Sequence, residues 1–407
     1  MIATKTILGI DYKEYFIVNS FILCLFINTI SNYLAYSYYI KSFSAVLCFG
    51  IIYLERDKYI NFRYFEEKKF ILFLCSLIFL PLISLSYSNN RIFGFEKLVQ
   101  LIIGLIPVIL FAYHLLHSLT KDRIKAFFIS ISIIAIIVSF SILLFNPLLQ
   151  DRSYAFKINR WSHVLIGRFL TGFCVIFGLI LLFAKHKYYN IFTFLTIIIL
   201  NYSIYFSAHR ASTLAIILFY FLIITIQIFK KKYDKLNFTY FVGTLALTFI
   251  MIYLFPVKNK PAEERFTNLF SKYDSNFGDD SPIYARFEAF RISREIIVQN
   301  PILGVGFGGF KHAYNNRDLS LNIKYPHNIF LEYITEFGIV GLIVFLLLIW
   351  ELYKGMKRYS LELIVYFTIM LWLACFSKDI PSQGMFWIGF VFLSNRDREI
   401  KESIKLL

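Results

Sequence analysis

Two side chains with chemical potential fall in the stretch from Asp280 to Leu342. Arg286 lies within DSPIYARFEAFRISREIIVQNPILGVGFGGF, and His327 lies in Pro326-His327-Asn328, at the mouth of a long apolar segment. Ser281-Pro282 supplies a serine cap and a first-turn proline, so a helix should run to about Gln299 and stop before Asn300-Pro301. At about 100° per residue, Ile283, Phe287, Phe290 and Ile297 share one side of that helix, the side expected to face inward. Glu288, Arg291 and Glu295 share the opposite side at spacings suited to solvated ion pairs. Arg286 falls beside the apolar stripe, where an unpaired cation is costly unless an anion meets it. His327 sits near a helix start, where backbone N–H groups favour anions, and imidazole exchanges protons near neutral pH. A cation and an imidazole so close in sequence suit an anionic ligand and proton exchange near neutral pH.

Other cations sit at comparable places. Arg210, in Ser207-Ala-His-Arg-Ala-Ser212, opens one apolar segment, and Arg160, His163 and Arg168 lead into another. Gly304-Val-Gly-Phe-Gly-Gly309 echoes a dinucleotide loop, but no strand precedes it and no acidic residue follows in a βαβ unit. A tight turn that returns the chain to an apolar segment is the better reading. No DxD, P-loop, nucleophile-elbow or zinc motif is present, so neither a metal site nor a cofactor is expected.

The elements that must position these residues are membrane helices. The chain has 407 residues and is 58% hydrophobic. Apolar runs at about 15–34, 36–54, 70–88, 97–117, 124–146, 165–184, 189–206, 211–229, 238–256, 328–350, 360–376 and 383–394 are each read as a span. The expected fold class is an all-α polytopic membrane protein of about 12 transmembrane helices with one large periplasmic helical loop. It divides into residues 1–256 with nine spans, the loop at 257–326, and 327–407 with three spans and a tail. The first run lacks a small-residue cleavage site and is expected to remain as a helix. All five cysteines lie inside apolar runs, without metal-ligand spacing, and read as small apolar fillers.

Lys and Arg number 42 against 26 Asp and Glu, a net charge of +16. Most of the basic residues fall in alternate short loops, which is the topology signal of a membrane protein rather than a nucleic-acid surface. That face is assigned to the cytoplasm, with both termini on it. Arg152, Arg160, Arg168, Arg210 and Arg286 then lie outside against the bias, which points to an anionic ligand there. Carboxylates inside the apolar runs look scarce, which counts against a proton-coupled transporter.

The sequence resembles the bacterial O-antigen ligase and O-antigen polymerase superfamily of inner-membrane proteins. The ligase pattern of histidine, a small amide or hydroxyl residue, nine residues and GxxG is matched by His327-Asn328 and Gly338-Ile-Val-Gly341. Arg286 and the run from Asn300-Pro301 to Gly308 match the family's loop pattern, and His209-Arg210-Ala211 matches its short arginine turn. The resemblance implies a GT-C-like fold and a metal-independent, inverting glycan transfer in the inner membrane, with the site facing the periplasm. The implied partners are an undecaprenyl-pyrophosphate-linked glycan donor, lipid A–core or another glycan as acceptor, and membrane lipid, with no nucleic acid. In this reading Arg210 and Arg286 hold the pyrophosphate, His327 positions or deprotonates the acceptor hydroxyl, and Arg160, His163, Arg168 and Asn328 line the same cavity. Ligase is favoured, polymerase is the alternative, and a polyprenyl-glycan transporter is the non-enzyme rival.

Overall fold

The structure is a computed structural model. It describes residues 6–7, 10–30, 37–55, 68–118, 120–145, 167–183, 190–206, 210–229, 235–254, 282–315, 323–359, 361–376 and 379–393. Apart from a two-residue strand pair, β1 (Thr6–Ile7) with β2 (Ile10–Asp11), the regular elements among these residues are helical.

The first half supplies α1 (Tyr12–Ile30), α2 (Ser37–Leu54), α3 (Lys68–Ser84), α4 (Arg91–Gln100), α5 (Ile106–His117) and α6 (Lys121–Phe145). A π-helical turn, Leu101–Leu105, joins α4 to α5, so the two run as one rod. Then come α7 (Leu170–Phe183), α8 (Ile191–Phe206), α9 (Arg210–Phe229) and α10 (Lys235–Leu254). The amphipathic α11 (Pro282–Gln299), the short α12 (Gly309–Asn315), the long α13 (Ile329–Tyr359), α14 (Leu361–Ala374) and the five-residue α15 (Gly384–Ile388) follow among the described residues.

Among the described residues, five stretches are long and apolar enough to cross a membrane: Lys68–Tyr87, Arg91–Leu116, Ala211–Phe229, Lys235–Leu254 and Ile329–Met356. Four shorter apolar helices accompany them: Tyr38–Leu54, Gly167–Leu179, Ile191–Tyr205 and Leu363–Ala374. Their outward side chains, such as Leu72, Ile83, Phe221, Ile343 and Leu347, are exposed and apolar, as a lipid-facing surface requires. This is the architecture of an all-α, polytopic membrane protein.

The expected twelfth span is corrected. Residues 380–393 form a 3₁₀ turn (Ile380–Ser382), α15 and a second 3₁₀ turn (Gly389–Leu393), not one continuous helix. The backbone leaves helical geometry at Gln383, φ −93° and ψ 38°, and α15, even with the second 3₁₀ stretch into which it runs directly, is too short to cross a membrane. The segment is buried around Trp387 and Phe390, so protein rather than lipid surrounds its irregular backbone.

The helix ends sort into two opposed faces. At one, the start of α1, the ends of α2 and α5 and the start of α6 are bound by a buried ionic knot. Arg123 Nη2 donates to Glu55 at 2.7 Å, His114 Nε2 lies 3.0 Å from Glu55, Lys13 reaches it at 3.2 Å, and Arg123 Nε donates to Glu14. Lys69 and Lys354 flank Glu351 nearby, at 2.8 and 3.1 Å, which places the start of α3 and the end of α13 on this face too. The candidate chemistry gathers at the other end.

Candidate functional site

The site begins with a break in α13. Gly338 has φ 64° and ψ −162°, a left-handed conformation that interrupts the helix. A Cβ there would lie 2.1 Å from the carbonyl oxygen of Ile302, so this position requires glycine twice over. The turn that follows α11 is wedged into the break. Val305 N donates to Thr335 O and Gly306 N to Glu336 O, both at 2.9 Å, taking up carbonyls that the break frees. In return Ile339 N donates to Pro301 O at 2.9 Å and Val340 N to Ile302 O at 3.4 Å. From the other side Ser88 Oγ donates to Phe307 O at 2.9 Å, and Ser84 Oγ accepts from Phe307 N at 3.2 Å. Gly304, Gly306 and Gly308 all take positive φ, as the sequence reading of a tight turn requires.

This splice clamps the helix bearing Arg286 to the helix opened by His327. His327 has φ 60° and is the one non-glycine residue with positive φ among those described. Such strain persists only where surrounding structure fixes it, and it concentrates at functional positions. The ring of Tyr325 meets the imidazole edge-on with centroids 4.6 Å apart. Nδ1 of His327 is buried without a hydrogen-bond partner. Burial first, then the positive charges of Arg286 and Arg168, hold the imidazole well below its usual range, at about 4, while Asp379 pulls weakly the other way. The ring is therefore neutral at neutral pH and able to accept a proton or a hydrogen bond.

Arg286 stays partly open to solvent, yet enough protein surrounds it that desolvation lowers its guanidinium below the ordinary range. Arg168 is buried and donates through Nη2 to Leu373 O at 3.0 Å. A cleft of about 30 Å³ opens beside it, lined by Leu373, Ser382, Gln383 and Phe386, with room for a water molecule. Asp379 is buried and accepts from Ser382 Oγ at 2.6 Å.

Beneath the splice lies a group that the sequence reading missed. Lys97, from α4, is 2% exposed and reaches Glu332 at 2.5 Å and Glu336 at 2.7 Å, both buried on α13. Glu332 also accepts from Ile380 N at 3.2 Å, Glu336 accepts from the Gly308 amide, and the Lys97 ammonium lies 4.5 Å from the Phe307 ring centroid. The expectation that carboxylates are scarce in the apolar segments is thus corrected. The signal was present: two glutamates at i, i+4 directly after His327-Asn328, on an otherwise apolar face, with one lysine in another apolar run.

The other expected residues fare unevenly. Asn328 caps α13, its Oδ1 accepting from Phe330 N at 2.9 Å and Leu331 N at 3.2 Å. Arg210 opens α9, but its side chain lies outside the described residues, as do Arg160 and His163 entirely. The inward face of α11 is corrected. Ala289, Ile292, Ser293 and Ile296 are buried, whereas Phe287 and Phe290 are exposed. The Glu288–Arg291–Glu295 ion pairs form at the surface, at 2.7 and 3.0 Å. Among the described residues, no group of three or more His, Cys, Asp or Glu is placed to hold a metal ion.

No curated protein matches the chain. Residues 192–346 match the family model described as O-antigen ligase. The matched region holds Arg210, Arg286, the glycine turn, His327 and the break at Gly338, and the match supports placing the chain in the O-antigen ligase and polymerase superfamily.

Proposed function

We propose that the protein is an O-antigen ligase: it transfers a glycan from undecaprenyl pyrophosphate to lipid A–core at the periplasmic face of the inner membrane. The observation that carries this reading is the meeting of a neutral, strained His327 with the charges of Arg286 and Arg168 at one end of the helix bundle. In the proposed step, the acceptor hydroxyl attacks the anomeric carbon while the bond from that carbon to the diphosphate oxygen breaks. The leaving diphosphate takes the electron pair, and inversion follows from attack opposite it. Neutral His327 accepts a hydrogen bond from the acceptor hydroxyl and aligns it, and the hydroxyl proton passes to the departing diphosphate as charge grows there. Arg286, with Arg210 from the start of α9, binds the diphosphate and stabilises the charge that grows on it. Arg168 adds positive potential from below, and Asn328 holds the helix start that carries His327.

Lipopolysaccharide ladders test this in cells carrying Arg286→Ala or His327→Ala at matched protein level. Loss of polymer on lipid A–core, with polymer accumulating on its carrier, is expected. Normal ladders would remove both residues from the mechanism. A null allele that leaves core bearing a single repeat unit would make the protein a polymerase instead.

A further inference from the structure

We infer that α11 lies in the membrane surface on the site side, with its Phe287–Phe290 face in the lipid. The argument starts from the three-sided character of the helix. Ala289, Ile292, Ser293 and Ile296 face the protein and are buried. Glu288, Arg291 and Glu295 form a second, ion-paired side suited to water. The remaining side carries Phe287, Phe290 and Val298, exposed by 58%, 42% and 73%. A helix resting on a protein in water needs only two sides, so a third that is apolar calls for its own covering.

Continuity names the covering. The chain leaves α11 through Ile302 and Leu303, exposed by 64% and 53%. Pro301 and Ile302 are hydrogen-bonded to Ile339 and Val340. Those two residues are themselves exposed on the stretch Ile329–Met356, one of those long and apolar enough to cross a membrane. Through Ile302 and Leu303 the chain thus joins the apolar side of α11 to a lipid-facing helix. Charge agrees. At about 100° per residue, Arg286 and Arg294 edge or interleave this apolar side, where long stems lie on hydrocarbon while guanidinium groups reach lipid phosphates. The acidic residues all lie on the water side. Such placement holds Arg286 at the depth of lipid phosphates whatever the substrate, so the inference stands apart from the proposed glycan transfer.

The test is a depth measurement on the full chain in nanodiscs of phosphatidylethanolamine and phosphatidylglycerol. Single nitroxide labels at 287, 290, 298 and 302 are compared with labels at 288, 291 and 295, in a background with Cys75→Ala and Cys375→Ala. Relaxation by oxygen is set against relaxation by a water-soluble nickel chelate. The first set is expected to favour oxygen and the second nickel, a change in the sign of the depth parameter around the helix. Nickel access at every position would overturn the inference, because the apolar side would then face water. Protection from both reagents at 287 and 290 would also overturn it, because a second protein surface would then cover the helix. Phe290→Trp, which keeps an aromatic ring, gives an independent reading: brominated lipid should quench the added fluorescence, and unquenched emission would count against the placement.

Discussion

Replacing Lys97 by methionine removes the one cation between Glu332 and Glu336 while nearly keeping its volume. Both carboxylates are buried in apolar surroundings, and Glu336 retains only its bond from Gly308. Removing one partner of a buried ion pair costs about 3–5 kcal/mol. An orphaned carboxylate escapes by taking a proton, which for an ordinary glutamate at pH 7 costs about 3.7 kcal/mol, from 2.7 pH units at about 1.36 kcal/mol each. One ammonium offsets one of the two carboxylate charges, so the loss at pH 7 should lie at about 3–5 kcal/mol, a large part of the stability of an ordinary domain. At pH 5 the protonation cost falls to about 1 kcal/mol per group, so the variant should recover as pH falls. Lys97→Met with Glu332→Gln and Glu336→Gln removes every charge and should recover most of the loss at pH 7. The assay is the thermal midpoint of the purified full chain in detergent, followed by tryptophan fluorescence at both pH values. A single variant as stable as the parent at pH 7, or a triple variant no better than the single, would refute the claim that Lys97 offsets buried charge on this pair.

The imidazole of His327, held at about 4, gives a second pH dependence of opposite sign. The unfolded chain binds a proton below about 6.5 that the folded chain refuses, so stability should fall as pH drops from about 6.5 to 4, by at most about 3 kcal/mol. His327→Gln should flatten that limb in a denaturation series, and an unchanged limb would assign it elsewhere. Gly338→Ala would place a methyl 2.1 Å from Ile302 O at φ 64°. It should lower the yield of folded protein and abolish transfer, and wild-type behaviour in both would contradict the splice. Asn328→Ala removes a helix cap and should cost about 1 kcal/mol, whereas Asn328→Asp keeps the cap. If Asn328→Asp loses activity at unchanged thermal midpoint, the side chain serves more than the helix.

The rods of this fold were legible because lipid demands long apolar runs, and hydropathy reads such runs directly. The glycine turn was legible for a similar local reason: clustered glycines have few other uses. What failed was whatever depends on two environments that both accept hydrocarbon. Phe287 and Phe290 are apolar and were read as inward, yet small Ala289 and Ser293 let α11 approach its neighbours, and the rings turn out. The final segment, 380–393, has the composition of a span but packs inside protein as a 3₁₀ turn and a short helix that tightens to 3₁₀ at its end. The charges of Lys97 and of Glu332 and Glu336 come from distant parts of the chain, and nothing local says that they pair.

The splice at Gly338 explains how two distant residues come to share one site. Arg286 lies 13 residues before Gln299 at the end of α11, and His327 lies 11 residues before Gly338. At about 1.5 Å per helical residue, roughly 20 Å of α11 separates Arg286 from the helix end, and α11 packs against α13, so the clamp fixes where Arg286 falls relative to His327. Four backbone hydrogen bonds join the clamp, two in each direction. At about 0.5–1.5 kcal/mol each they contribute a few kcal/mol without involving any side chain. The position of Arg286 relative to His327 therefore depends on backbone register. Inserting one glycine after Asn300 should shift or break that register and reduce transfer while leaving both residues intact. An insertion variant that folds and keeps full activity would show that the clamp does not set the site.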